Sequence, residues 1–502
     1  MRIELDPPVR GLVAAAAAFF AERGVAAWAT GGFLRDALLG REPHDVDVTV
    51  DGDPLTIGPD LALALDAHFV VLDRERRHTR LVSKEDGVYL DLTPLRAPEI
   101  EADLRLRDYT IDALAAPFDA VATGDFDVLD PTGGLSDLEA ELVRAIGEQA
   151  LLDDPLRLLR GPRIATQLGF EIEPGTVALI RRHAALVTTP AAERQREELV
   201  RVFATETAGQ GVRLLDDLGL LTRLVLEIEA ARGVEQPKEH HYDVLGHLFA
   251  AVGCLDFLLA EDEPPNAVAV QLWHELWGEL EWCDGLRAYF REEIAPGTER
   301  RALLKFCALL HDIAKPETKS FEEDGRMRFF GHGEAGAETA ARVMRRLRFS
   351  SREIAIVRKM IGAHLRPVQL GQQGQPSDRA IYKFFRDTGE AGIDTLFLSL
   401  GDHLATVGPR VSIEGFRQHV ALISYILQER FGDETIVAPP KLVDGDELMA
   451  VLGLSPGPLV GRLLETVREA QAAGEVTDRE GALALARERL DAERAAVEAG
   501  SL

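Results

Sequence analysis

Two aspartates two residues apart open the alternating stretch Asp45-Val46-Asp47-Val48-Thr49-Val50. As a strand, this stretch sets both carboxylates and Thr49 on one face and three valines on the other. Carboxylates so spaced suit a hard divalent cation such as Mg2+ beside a triphosphate. Upstream, Gly31 and Gly32 have no side chains, so the backbone there can approach a phosphate and offer its N–H groups. Arg35, followed by Asp36, can fork onto phosphate oxygens. A second alternating run, Val88 to Thr93, carries Asp91 on its polar face, where a neighbouring strand would complete a metal-binding trio. The expected chemistry is Mg2+-assisted handling of a nucleotide.

A separate constellation follows in the second half. His247 falls in the helix-like run Tyr242 to Leu259, and His311-Asp312 ends the amphipathic run Arg301 to Ala314. His332, His364 and Asp402 come next, with Lys315 just after the His-Asp pair. Imidazoles and carboxylates on consecutive helices can converge inside a bundle as a divalent-metal site. Such a site would activate water against a phosphoester.

The elements that must position these groups read as follows. A buried first helix covers Val13 to Phe20, and a short helix covers Leu61 to Leu65. Phe69 to Leu72 and Thr79 to Val82 pair as strands around the basic turn Arg74 to Arg77. A helix starts near Asp153-Asp154-Pro155, so that Asp154 and Arg157 share one helical face.

Gly31-Gly32-Phe33-Leu34-Arg35-Asp36 followed by Asp45-Val46-Asp47 resembles the signature of class II tRNA nucleotidyltransferases and bacterial poly(A) polymerases. Four further stretches extend the likeness in order. Arg107-Asp108 resembles the second motif, which lies near the incoming nucleotide's sugar and phosphates. Leu106 stands where that motif usually has Arg, and Asp112 where it usually has Asn. Asp130 to Leu138 resembles the third, a hinge. Asp154 and Arg157, in the run that ends at Arg160, resemble the motif that selects CTP and ATP as a protein template, with Asp153 in place of Glu. Ala192 to Leu199 resembles the fifth, a brace between helices. The His and Asp order resembles the HD phosphohydrolase superfamily, and Asp378 to Asp387 looks typical of nucleotidyltransferases fused to it.

The resemblance implies an α+β chain with four regions. These are a small-sheet head (1–145), an all-α neck (146–235), an HD domain (236–430) and a helical tail (431–502) with a possible RNA contact. It implies Asp45, Asp47 and Asp91 as the catalytic set, with Mg2+ on the first two. Gly31, Gly32, Arg35, Asp36, Arg107, Asp108, Asp112, Asp154, Arg157 and Arg160 would contact nucleotide. His247, His311, Asp312, His332, His364 and Asp402 would hold a second divalent metal. The implied partners are a tRNA 3′ end, ATP and CTP. Poly(A) addition, A-only or CC-only addition, and a phosphohydrolase with a degenerate head remain alternative readings.

The whole chain sets limits on these readings. It has 502 residues, enough for two to four domains. Lys and Arg number 56 against 84 Asp and Glu, a net of −28, so RNA binding needs a local basic track. The arginines at 157, 160, 163, 181, 182, 194, 196 and 201 are the candidates. Three scattered cysteines, Cys254, Cys283 and Cys307, fit a reducing compartment. No stretch is apolar for long enough to span a membrane, which leaves a cytoplasmic location as the expectation.

Overall fold

The computed structural model describes residues 3, 5–41, 43, 45–85, 87–264, 266–280, 283–372, 374–432 and 439–498. The chain forms two compact units, one of Met1–Leu199 with Leu214–Leu224, the other of Val200–Arg213 with Val225–Leu502. The expected boundary between HD domain and tail near residue 431 borders residues 433–438, which lie outside the described set. Among the described residues, no helix is long and apolar enough to cross a membrane. Cys254 and Cys307 are free thiols, and the side chain of Cys283 lies outside the described residues.

The first unit is built on a six-stranded sheet. Helix α1 (Pro7–Arg23) precedes β1 (Ala27–Thr30), α2 (Gly31–Leu38), β2 (Asp45–Val50) and α3 (Pro54–Ala64). Strands β3 (Ala67–Asp73), β4 (His78–Ser83), β5 (Tyr89–Pro94) and β6 (Ala115–Pro117) follow. The sheet order is β3-β4-β5-β2-β1-β6. β2 lies parallel to β5, and the other pairings are antiparallel. Val46, Val48 and Val50 are fully buried, as the alternation requires. The opposite face of β2 differs from a solvated one: Asp45 is exposed, Asp47 half-buried and Thr49 buried. A central strand is covered on both sides, so its polar face runs from an open rim into the core.

Helices then follow. The Asp153 to Arg160 stretch is not one helix: a helix ends at Asp153, and the next spans Arg157–Leu168. Asp154 is extended, with ψ 97, and so the expected shared face of Asp154 and Arg157 does not form. In the second unit the principal helices are Val244–Leu258, Arg300–Leu310, His332–Arg346, Ser351–Ala363 and Gly392–Val407. The tail helices Gly445–Leu452, Pro458–Ala472 and Arg479–Glu498 close on their own core of Leu448, Leu463, Val467 and Ala486.

The Asp130 to Leu138 segment is locked by backbone geometry. Asp130 accepts N–H bonds from Gly134 at 2.8 Å and Leu135 at 3.0 Å. A Cβ on Gly134 would sit 2.2 Å from the Thr110 carbonyl oxygen, which is backbone and cannot swing aside. Gly134→Ala should therefore cost about 1–3 kcal/mol of stability, read as a lower urea midpoint at unchanged slope.

Candidate active site and metal-ligand cluster

Asp47 is the pivot of the head site. The strand register pairs it with Asp91 on β5, so two carboxylates lie side by side. The start of α2 reaches over Asp47: the Phe33 N–H donates to its Oδ2 at 3.2 Å. Gly31, at φ +64, would bring a Cβ to 3.0 Å from that oxygen, so both the backbone conformation and the tight contact disfavour a side chain there. Burial and the Asp91 charge push the Asp47 carboxyl up to about 6, against the Phe33 N–H, Arg107 and Arg160. Arg107 donates to Thr49 Oγ1 at 2.9 Å, and Thr49 Oγ1 lies 3.1 Å from Thr30 Oγ1 and 3.2 Å from that of Thr93.

Several expected contacts are rearranged. Asp91 lies beside Asp47 as anticipated, but Arg80 holds it with two bonds of 2.7 Å. Arg35 is buried and does not fork into open space. It donates to Asp36 at 2.8 and 3.0 Å and to Asp112 at 2.6 Å. Its guanidinium is committed to carboxylates, which makes it a positioning group. Asp112, the departure from Asn, is thereby paired with a guanidinium that it shares with Asp36, and Arg160 Nη2 lies 4.0 Å away. Burial raises Asp108, but Arg160 and Arg157 outweigh it and hold its carboxyl below the usual range. Asp154 and Arg157 do not pair. Asp154 accepts from Arg194 at 2.7 Å, whereas Arg157 donates to the Ala150 carbonyl at 2.9 Å.

Several arginines of the basic track have partners within the chain, and of the eight only Arg163 is buried. Arg163 bonds the buried Glu198 at 2.7 Å, and Arg182 bonds Glu148 at 3.0 Å. Arg181 donates to the Asp217 carbonyl. The helix Ala192–Ala204 thus braces its neighbours through Arg194 and Glu198. Sequence reasoning missed Arg80 and Tyr109, whose hydroxyl donates to the Arg157 carbonyl at 2.6 Å.

In the second unit all six expected ligands converge. His247 Nε2 lies 3.1 Å from Asp402 Oδ1, 3.3 Å from Asp312 Oδ2 and 3.2 Å from His311 Nε2. On the other side of the same carboxylate, His332 Nε2 is 3.3 Å and His364 Nε2 3.7 Å from Asp312 Oδ1. Two ligand sets, His247-His311-Asp312-Asp402 and Asp312-His332-His364, therefore share Asp312. Nδ1 of His311, His332 and His364 each donates to a carbonyl three residues back, at 2.8, 2.6 and 2.7 Å. That frees each Nε2 as a donor toward a cation. Among the described residues, Asp312 Oδ1 is buried with no hydrogen-bond donor, which fits an oxygen kept for a cation. Burial alone would lower His311, yet Asp312 and Asp402 carry it up to about 10. Lys315 Nζ sits 2.6 Å from Asp312 Oδ2 and 2.7 Å from Gln236 Oε1, with His240 Nε2 at 3.5 Å. Gln236 and His240 escaped notice in the sequence, although the pair His240-His241 shortly before His247 was a signal.

Comparison with known proteins fits this geometry. The Poly A polymerase head domain matches residues 27–144, the "Probable RNA and SrmB-binding site of polymerase A" residues 169–232, and the HD domain residues 281–392. An A-adding tRNA nucleotidyltransferase of Deinococcus radiodurans is 33% identical over 453 residues, covering 89% of this chain and 91% of the relative. This chain belongs to the tRNA nucleotidyltransferase family. A CC-adding tRNA nucleotidyltransferase of Thermus thermophilus is 34% identical over 466 residues, with 91% and 92% covered. The fold is that of a solved Thermotoga maritima CCA-adding enzyme complexed with tRNA, at TM-score 0.55, 19% identity and 97% and 96% coverage.

The protein is thus a nucleotidyltransferase with an HD domain, and both families use divalent metals. In the head, the raised Asp47 carboxyl marks where a cation would be stabilised. A carboxyl raised from 3.8 to about 6 favours folding while neutral, and that stability is lost as pH rises through this window. In EDTA, wild-type stability should therefore fall between pH 4 and 6 more than that of Asp47→Asn. Added Mg2+, by favouring the carboxylate in the folded state, should shrink that fall. Urea unfolding across this range, taken as the wild-type minus variant difference, reads both effects.

Proposed function

We propose that this enzyme adds CMP, AMP or both to the 3′ end of tRNA from CTP and ATP in the cytoplasm. The observation that carries the reading is the meeting of Asp47, the Gly31-Gly32 backbone and Arg107 at one strand edge. Asp45 and Asp47 would hold Mg2+, which supplies positive charge at the α-phosphate when bound. Bare backbone at Gly31 and Gly32 lets the triphosphate lie close to the start of α2. Arg107 and Asp108 position the sugar and phosphates. Arg35 and Arg160 flank Asp112, so the charge that the Asn-to-Asp departure adds faces guanidiniums. Asp91, clamped by Arg80, keeps a second carboxylate beside Asp47. Asp154 and Arg157, each tied to other partners, are placed to face the base only once those ties rearrange. The tRNA 3′-hydroxyl attacks the α-phosphorus, the bond to the bridging oxygen breaks, and pyrophosphate leaves. The regional division 1–145, 146–235, 236–430 and 431–502 accompanies this reading.

Purified protein with Mg2+, labelled CTP or ATP, and tRNAs ending before CCA, after C or after CC tests it. Addition that stops at CCA, at CC or after a single A supports transfer and assigns its extent, with Asp47→Ala reducing it at least a thousandfold. Unlimited A addition would instead mean a poly(A) polymerase, and no incorporation would sink the reading.

The six-ligand cluster favours a second activity at the HD domain, hydrolysis of a phosphoester. His247, His311, Asp312 and Asp402 would hold one divalent ion, and Asp312, His332 and His364 another. Metal analysis of the protein loaded with Mn2+ should return two HD-bound ions per chain, His364→Ala about one, and His311→Ala should lose hydrolysis of a phosphoester. Equal metal content in the wild type and His364→Ala would refute the shared-carboxylate arrangement.

A further inference from the structure

The helix Val244–Leu258 has a second use. Beside the face that carries His247, its residues Phe249, Ala250, Gly253 and Phe257 line an open cavity of about 480 Å3, within the size range of small-ligand sites. Leu272 and Val411 add apolar walls. Leu404 and Ala405 line it too, and they belong to the helix that carries Asp402. A Cβ on Gly209 would lie 2.7 Å from the Gly253 Cα, so the backbones meet there, and small residues keep the space beyond open. Cys254, on the helix that carries His247, lines the cavity as well.

The lining also defines the occupant. Arg213 lies over the Phe249 ring, 5.5 Å from its centroid, and forms no ion pair among the described residues. In a chain of net charge −28 an unpaired guanidinium at a cavity mouth is an anion receptor without an internal partner. Glu206 stands on the same rim, and Asp256 is bound to Lys305 at 2.8 Å. Arg213 can meet one negative charge, and the carboxylate beside it disfavours a dianionic phosphate. The apolar, aromatic interior suits a flat ring system.

We propose that this cavity binds a planar aromatic monoanion of nucleoside size, and that binding is coupled to the HD cluster through the helices carrying His247 and Asp402. The ligand site stands on the cavity alone, whereas the coupling rests on the metal-centre reading above.

The test uses the full chain with 1-anilinonaphthalene-8-sulfonate as probe. Fluorescence titration should show one saturable site. Gly253→Leu, whose Cβ meets nothing within 4 Å, should fill the cavity and weaken binding at least tenfold. Arg213→Ala, at an exposed position that spares the fold, should weaken it about tenfold. Saturating probe should change Mn2+ affinity, measured by calorimetry, by about fivefold or more. Unchanged probe affinity in both variants overturns the ligand site. Equal Mn2+ affinity with and without probe overturns the coupling. Absence of Mn2+ binding overturns the metal-centre reading and the coupling together, while the ligand site is judged by the variants.

Discussion

The head depends on one electrostatic conflict, the adjacency of Asp47 and Asp91 on parallel strands. Two carboxylates in that register repel each other, and burial aggravates the repulsion. The surrounding structure offsets it from every side. Arg80 takes Asp91, the N-terminus of α2 gives Asp47 a backbone donor, and Arg107 stands over Thr49 at the next rung. What remains is a site with excess negative charge at one carboxylate, suited to a divalent cation and the phosphates it brings.

The same logic accounts for the one substitution in the signature that looks damaging. An Asp at position 112 would add charge next to a triphosphate if it stood alone. It is instead the far anchor of Arg35, with Arg160 close by. A buried carboxylate that has lost its hydration needs such partners, and removing one would leave the other charge uncompensated. The Arg35 and Asp112 positions therefore act as a pair, 77 residues apart in sequence.

The HD cluster solves the opposite problem of gathering many ligands without an internal bond network consuming them. Carbonyls three residues back occupy Nδ1 of three histidines, which turns their Nε2 atoms inward. Asp312 faces ligands with both oxygens, and Lys315 tempers its charge. The helices that present His247 and Asp402 also wall the neighbouring cavity, so packing and ligation are carried by the same elements.

Much of this was legible in the sequence. The alternation of residues 45–50 dictated a strand with buried valines, because local periodicity is a property of the chain itself, and the ordered motifs, by their resemblance to a known family, implied a nucleotidyltransferase head and an HD cluster. All six metal-ligand candidates, from His247 to Asp402, meet as their helical placement implied. Partner choice was not legible, because it depends on which long-range neighbour arrives. Arg35 reads as a phosphate fork until Asp112 is seen to hold it. Asp154 and Arg157 read as one helical face until the chain is seen to break at Asp154. Several guanidiniums of the candidate RNA track also pair with carboxylates inside the chain, as Arg163 does with Glu198 and Arg194 with Asp154. Sequence determined the elements and the ligand types, and tertiary structure decided which charges cancel, since that is settled by distance and burial alone.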